Sequence, residues 1–135
     1  MADGFTFEIV SPEKLLLSAQ AELVTIPGVE GDMGIMDNHA PVMTSLRPGV
    51  VSAKLADGTD LSFFVRGGFA DVTPTSLTVL AEFAVPQAEL TRELFEEQRA
   101  HATQALEMAD DELAEVNARS LLEQLNHLEP TLLPA

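Results

Sequence analysis

The first 85 residues of the chain alternate hydrophobic and polar positions with a period of two. Phe5, Phe7 and Ile9 alternate with polar residues, and similar short runs follow at residues 22–26 and 61–66. Short runs that are rich in β-branched and aromatic residues, and separated by Gly and Pro, are typical of β-strands. The pattern therefore predicts strands from residue 5 to about residue 85.

One pair of these runs has the sequence of a tight β-hairpin. Residues 50–55 and 61–66 are the two predicted strands, and Asp57-Gly58 lies in the turn between them. Asp-Gly supplies the positive φ angle that a primed hairpin turn needs.

Several predicted strands carry apolar residues on both faces, as in Phe63-Phe64 and residues 77–80. A single isolated sheet would leave one of those faces in water, whereas a second layer buries both. We therefore predict a two-sheet antiparallel β-sandwich over residues 1–86.

The period changes after Pro86. Residues 87–109 contain neither Gly nor Pro and are rich in residues that favour helix. Asp110-Asp111 can cap a second helix, which Pro130 is expected to stop. Each helix has one predicted apolar stripe: Leu94, Phe95, Ala102, Ala105, Leu106 and Ala109 on the first, and Leu113, Val116, Leu121, Leu125 and Leu128 on the second.

The short connection between these helices predicts an antiparallel two-helix hairpin over residues 87–135. The predicted fold class is therefore mainly β with an α appendage. A hairpin of about 45 residues buries too little apolar area to be stable alone. We expect it to be a mobile, regulatory element whose position depends on what it contacts.

Charge and composition exclude several classes of function. The chain has 22 acidic and 7 basic residues, a net charge of −15, which disfavours binding to nucleic acid or to an anionic membrane. It has no cysteine, which excludes disulfides and zinc–cysteine sites. No signal peptide is visible, and no apolar run approaches the roughly 18 residues that span a bilayer. These features predict a soluble intracellular protein without direct membrane insertion.

The sequence contains no convincing catalytic, metal or cofactor site. His39 lies near Asp32 and Asp37, but no second histidine stands at ligand spacing and the stretch fails the calcium-loop pattern. The Gly-x-Ser-x-Gly elbow of serine hydrolases is absent. Gly28, Gly31 and Gly34 are spaced neither as a dinucleotide fingerprint nor as a phosphate loop. We predict no catalytic residue, no metal and no cofactor.

The same glycine-rich stretch carries a specific resemblance. Residues 27–41, PGVEGDMGIMDNHAP, resemble the signature of the epsilon subunit of F-type ATP synthases, in which three spaced glycines precede His-Ala-Pro. The resemblance covers nearly all of residues 5–85 in order. It includes FEIVSPE at 7–13, LRPG at 46–49, VRGGFADV at 65–72 and LTVLA at 77–81.

The resemblance implies a non-catalytic subunit of the rotating central stalk, which couples ion flow to ATP synthesis. In that family one face of the sandwich holds the gamma subunit, and the lower end meets polar loops of the c-ring. By position, the resemblance places Ser11, His39 and Thr44 toward gamma, and Glu30 and Asp32 at the ring. It also implies peripheral attachment, through the complex, to the cytoplasmic face of the bacterial inner membrane.

The helical hairpin departs from the family pattern in two ways. In many members the extended helices enter the catalytic head of alpha and beta subunits and inhibit ATP hydrolysis. Members that bind ATP carry Ile/Leu-Asp-x-x-Arg-Ala, whereas this chain has LTRELF at residues 90–95, so we predict no useful ATP binding. Residues 82–135 hold 12 acidic and 3 basic residues, so docking against an acidic surface would be repulsive and we predict weak inhibition.

Two other classes of function remain as alternatives. One is a free-standing acidic module whose hairpin binds some other protein. The other is a small hydrolase that uses His39 with a nearby Asp. Copurification with an ATPase complex separates the first alternative from a stalk subunit.

Overall fold

The computed structural model describes residues 4–133 and divides the chain into two compact units, Met1–Ala88 and Glu89–Ala135. The described part of the second unit contains helices α1 (Arg92–Glu107) and α2 (Glu112–Leu132), and a short 3₁₀ helix, Gln87–Glu89, precedes them. The strands of the first unit are β1 (Phe5–Val10), β2 (Leu15–Gly28), β3 (Gly31–Met36), β4 (Val42–Leu46), β5 (Gly49–Leu55), β6 (Asp60–Val65), β7 (Gly68–Val72), β8 (Ser76–Ala81) and β9 (Ala84–Pro86).

The nine strands are hydrogen-bonded in the order β1-β8-β7-β4-β2-β5-β6-β9. β3 pairs with β2, and β1 pairs with β2 as well as with β8. The 14-residue strand β2 pairs with β1 through its first half and with β3 and β5 through its second half. A single long strand therefore connects the two layers of the sandwich.

This architecture confirms the predicted mainly β sandwich with a helical appendage, with two differences in detail. The strands form one continuous sheet folded over a common core, because β2 belongs to both layers. One pairing is not antiparallel, since β1 runs parallel to β8 with Phe7 opposite Leu77. Parallel strands need a long connection between them, and the intervening strands of the chain provide it here.

The core follows the period-two pattern of the sequence. In β1 the side chains of Phe5, Phe7 and Ile9 are buried, whereas the intervening Thr6 and Glu8 are only half-buried. Each strand from β1 to β8 contributes to one cluster, so the first unit has a single closely packed interior. The largest buried members of that cluster include Phe7, Ile9, Ile26, Ile35, Leu77 and Val79.

The β5–β6 hairpin forms where the sequence predicts it. Val51 lies opposite Phe63, Gly58 has a φ of 91°, and the Asp57 carboxylate accepts a hydrogen bond of 2.9 Å from the Thr59 amide. That amide lowers the pKa of Asp57. The Asp-Gly turn is thus stabilised by both the glycine backbone and the aspartate side chain.

Both helices of the second unit begin at capping residues. The Thr91 hydroxyl accepts a 3.1 Å hydrogen bond from the Leu94 amide, and the Asp111 carboxylate accepts one of 2.7 Å from the Ala114 amide. The predicted Asp cap of the second helix is confirmed. Because Arg92 at the start of α1 pairs with Glu129 near the end of α2, the hairpin is antiparallel, as predicted.

Two features of the helices differ from the prediction. Pro130 does not stop α2, which continues to Leu132, and the Leu133 amide donates to the Glu129 carbonyl at 2.8 Å. A proline in the last turn removes only one helical hydrogen bond, so the helix tolerates it there. The first helix begins later than expected because Thr91 caps it at Arg92.

The predicted apolar stripe of α2 is also wider than the face that is buried. Leu113 and Val116 are 70% and 55% exposed, whereas Ala118 and Leu125 are buried. Val116 and Leu125 are nine residues apart, which at 3.6 residues per turn places them on opposite sides of the helix. Ala118 and Leu125 are seven apart and share one face.

Candidate partner-binding surfaces

Surfaces of the sandwich, not internal clusters, are the candidate sites of this chain. Within residues 4–133 no three His, Asp or Glu side chains converge in a way that could hold a metal ion. Neither of the two described α-helices combines the length and apolarity that crossing a bilayer requires. His101 and His127 are exposed on the hairpin.

The first candidate surface is the end of the β2–β3 hairpin, residues 28–32, which we call the β2–β3 tip. Val29 and Glu30 form the exposed turn, and Gly31 opens β3 with a φ of 140° that glycine alone adopts easily. Asp32 follows as the second residue of β3. The fold therefore brings the two predicted ring-facing carboxylates, Glu30 and Asp32, to one exposed end of the sandwich.

Backbone hydrogen bonds hold this tip against the corner between β4 and β5. The Val29 amide donates to the Ser45 carbonyl at 3.0 Å, and the Arg47 amide donates to the Pro27 carbonyl at 2.9 Å. The two bonds join segments that are about 18 residues apart in the chain. These bonds consequently fix the position of the tip relative to the corner.

The Arg47 side chain adds a second connection between the same segments. Its Nη1 donates to the Gly28 carbonyl and its Nη2 donates to the Asp32 carboxylate, each at 2.5 Å. The sequence marks Arg47 only as part of a Pro-Gly corner. Its contact with Asp32 depends on how β2 pairs with β3 and β4, which no local pattern specifies.

His39 lies at the other end of β4. The Asn38 amide donates to the Pro74 carbonyl at 2.9 Å, which fixes the loop against the β7–β8 turn. The His39 Nδ1 donates to the Ala40 carbonyl at 2.7 Å, and its ring is half-buried. The four steps from Val42 to Leu46 separate this loop from the β2–β3 tip by about 13 Å.

The two other residues predicted to face gamma occupy different positions. Thr44 lies opposite Ala70, so it shares the core-facing side of β4 with buried Leu46 and is itself half-buried. Ser11 follows β1 and exchanges hydrogen bonds with Lys14 in a turn. The fold therefore does not gather Ser11, His39 and Thr44 into one cluster.

A second candidate surface lies on the outer side of β1, β8, β7 and β4. Strand register places Val10 beside Leu80, and Leu80 beside Phe69. Ser45 of β4 lies opposite Phe69, and Met43, two residues before Ser45, is on the same side of that strand. Met43, Phe69 and Leu80 are 65%, 51% and 44% exposed, and Val10 is half-buried. These four residues form what we call the outer patch.

A groove of about 370 Å³ continues the outer patch at one end. Val10, Phe69 and Leu80 line it together with Ser11 and Glu82, and its surface is almost wholly apolar. Ser11 thus borders the outer patch, whereas Thr44 lies on the core-facing side of β4. Contiguous exposed apolar surface of this kind marks sites of protein association.

Acidic side chains border the outer patch. Glu8 and Asp71 both lie opposite Thr78 in the strand register, on the same outer side as Phe69 and Leu80. The apolar residues on both faces of 77–80 predict that both faces are covered, and this prediction is wrong for Leu80, which is 44% exposed. The distinction requires knowing which layer covers each face, which alternation alone does not reveal.

Comparison with known proteins gives consistent relatives. Residues 4–87 match the family described as ATP synthase, Delta/Epsilon chain, beta-sandwich domain. The ATP synthase epsilon chain of Parvibaculum lavamentivorans is 47% identical over 132 residues, which cover 95% of each chain. The ATP synthase epsilon chain of Mesorhizobium japonicum is 46% identical over 135 residues, the full length of both chains.

Solved structures show the same fold at lower sequence identity. A chain in the Euglena gracilis mitochondrial ATP synthase (OSCP/F1/c-ring) superimposes with a TM-score of 0.71 and 22% identity, over 98% of this chain and 83% of that one. A chain in the central stalk/c-ring structure of Tetrahymena thermophila mitochondrial ATP synthase gives a TM-score of 0.64 and 16% identity, over 91% and 94%.

Proposed function

The chain belongs to the ATP synthase epsilon chain family, and on that premise we propose that it is a non-catalytic subunit of the central stalk. In this role it joins the gamma subunit to the c-ring, so that ion flow is coupled to ATP synthesis. It makes and breaks no covalent bond itself. It is held at the cytoplasmic face of the bacterial inner membrane through the other subunits.

One observation carries this proposal: a single closely packed sandwich presents two separate surfaces of different chemistry. The outer patch is apolar with an acidic border, whereas the β2–β3 tip is polar and charged. A connector in a rotary motor has to pass torque from one partner to another without deforming. Closely packed interiors are stiff, and the shared core meets this requirement.

We assign the gamma subunit to the outer patch. Association there would bury Phe69 and Leu80, and a large aromatic side chain such as Phe69 at the centre of an interface can contribute strongly to binding. Ser11, which lines the groove, is proposed to lie at the border of the outer patch. His39, in the loop before β4, and Thr44, half-buried on the core-facing side of β4, remain predicted gamma contacts outside this patch. The acidic neighbours Glu8 and Asp71 favour a partner that surrounds apolar side chains with Lys or Arg.

We assign the c-ring to the β2–β3 tip. Its exposed carboxylates are suited to polar loops that carry cationic or amide side chains. The tip lies about 13 Å along β4 from the His39 loop, so the two partners can bind different ends of the sandwich. The separation allows simultaneous contacts with both partners.

We propose that the helical hairpin regulates ATP hydrolysis only weakly. Its surface is strongly acidic, so an approach to acidic segments of the alpha and beta subunits is repulsive. The hairpin also lacks the ATP-binding motif of some relatives. Thr91, which replaces the motif's Asp, serves instead as the N-cap of α1.

The gamma assignment is tested with a charge placed in the outer patch. Phe69→Asp would bury a carboxylate against gamma, and we expect it to lower affinity for gamma by about tenfold or more. Leu23→Asp is the matched control, because Leu23 is an exposed apolar strand residue outside the outer patch. Titration of each full-length variant with purified gamma subunit measures the difference.

Equal affinity of the two variants would contradict the gamma assignment. Should the unmodified chain fail to bind gamma and fail to copurify with an ATPase complex, the stalk function itself is wrong and the free-standing acidic module takes its place.

A further inference from the structure

The Arg47 guanidinium connects both sides of the β2–β3 tip. One nitrogen binds the Gly28 carbonyl at the end of β2, and the other binds the Asp32 carboxylate in β3. A planar guanidinium can make two such bonds at a fixed angle, whereas an ammonium group acts as a single point charge. Arg47 thereby holds the two arms of the hairpin at a set separation.

The Arg47–Asp32 contact distinguishes the two acidic residues of the tip by their pairing. Asp32 is already paired, and its partner Arg47 is two-thirds shielded from solvent. Glu30 is exposed and has no hydrogen bond or ion pair within the described residues 4–133. Of these two residues, Glu30 is therefore the one whose carboxylate has both oxygens unpaired within residues 4–133, whereas one oxygen of Asp32 is bonded to Arg47.

We propose that Arg47 is the positioning residue of the β2–β3 tip, that Asp32 is its internal counter-ion, and that Glu30 is the carboxylate that meets a cationic side chain on the c-ring loops. The c-ring part of this inference rests on the proposed function. The Arg47–Asp32 part concerns the chain alone.

The internal part is tested by hydrogen exchange on the isolated full-length chain. The reporters are the Val29 and Arg47 amides, which are bonded across the tip and the β4–β5 corner. We expect Arg47→Lys and Asp32→Asn each to speed exchange of these amides by about two- to fivefold, as suits a partly exposed ion pair. The double variant should exchange no faster than the faster single variant, because Arg47→Lys already disrupts the one contact with Asp32 that Asp32→Asn weakens.

Glu30→Gln is the matched control, since it removes the same charge two residues away. We expect it to leave exchange of both amides unchanged. If Glu30→Gln speeds exchange as much as Asp32→Asn, or if Asp32→Asn has no effect, the positioning role of Arg47 is wrong.

The partner part is tested by binding of the full-length chain, in complex with gamma, to purified c-ring. Glu30→Gln should lower affinity severalfold at low salt, and the loss should shrink as ionic strength rises. Unchanged affinity would overturn the assignment of Glu30. If the unmodified complex does not bind the c-ring at all, the proposed function fails, while the exchange data still decide the role of Arg47.

Discussion

At the scale of single residues, close backbone approach explains why certain positions in this chain are glycine. Gly68 opens β7 with a φ of 133°, and a Cβ at this position would lie 2.0 Å from the Leu80 carbonyl oxygen. No rotation of a side chain can relieve such a contact with backbone. Gly58 also has a positive φ, of 91°, but nothing lies within 4 Å of its missing Cβ.

This pair of glycines gives a matched stability test. Gly58→Ala should cost about 1–2 kcal/mol, because it forces alanine into a left-handed conformation. Gly68→Ala should cost about 1–3 kcal/mol more, because strands β7 and β8 must also move apart. Urea unfolding of the two full-length variants measures both free energies, and equal values would show that the predicted clash is relieved at little cost.

The carboxylates of the β2–β3 tip also illustrate what sequence reasoning misses at this scale. The family resemblance assigns Glu30 and Asp32 to the same predicted contact and does not distinguish them. Their difference comes from Arg47, which is 15 residues from Asp32 and reaches it only through strand pairing. Contacts of this kind depend on tertiary register and have no local signal.

At the scale of elements, one carboxylate joins the two helices of the hairpin at the end opposite the connecting turn. Glu129 near the end of α2 accepts a hydrogen bond from Arg92 at 2.8 Å and another from Arg99. Arg99 also pairs with Glu96 at 3.0 Å and lies 5.3 Å from the centre of the Phe95 ring. Two of the three basic residues of the hairpin thus converge on Glu129.

The Glu129 contact predicts a pH dependence of hairpin stability. The hydrogen bond from Arg99, aided by the charges of Arg99 and Arg92, lowers the pKa of Glu129 below its ordinary value of 4.5, although burial opposes the shift. A carboxyl group whose pKa is depressed by folding stabilises the fold above its unfolded pKa. That stabilisation is lost as the pH falls through the lower, folded value.

The stability of the hairpin should therefore fall less between pH 6 and pH 3 in Glu129→Gln than in the unmodified chain. Hydrogen exchange of α2 amides between pH 6 and pH 3 measures the effect, after correction for intrinsic exchange rates. Glu123→Gln is the control, since Glu123 is an exposed acid of α2 that makes no ion pair within the described chain. If Glu129→Gln follows the unmodified chain over the whole pH range, the ion pairs do not stabilise the hairpin.

Elements with strong local signals were predicted well from the sequence. The alternating residues of β1, the Asp57-Gly58 turn and the Asp111 cap each act through neighbours in the chain, so a short window suffices. The exposure of Val116 and the continuation of α2 past Pro130 depend on helix packing and end geometry. Windows of sequence do not contain that information.

At the scale of the whole molecule, charge is the property that most restricts its role. The net charge is −15, and the hairpin carries much of it. Such a surface repels other acidic surfaces and favours partners with Lys and Arg near the contact. The sandwich nevertheless presents apolar surface at the outer patch, where a permanent partner can be held.

The division of labour between the two units follows from these properties. A sandwich with one closely packed core is suited to transmitting force. We expect the small acidic hairpin to make no strong inhibitory contact with the acidic segments of the alpha and beta subunits. Alternation predicted the sandwich, which the structure confirms. Weak inhibition by the hairpin, which rests on its composition, stays a prediction. The outer patch became visible only when strand register placed Phe69, Leu80 and Met43 on one exposed side.

The most direct test of the connecting role uses the ATP synthase reconstituted into vesicles with and without this chain. The measurement is ion pumping per ATP hydrolysed. We predict that the complex without the chain hydrolyses ATP but pumps few ions, and that adding the full-length chain restores pumping with less than a twofold change in hydrolysis. Undiminished pumping in the absence of the chain would contradict the account.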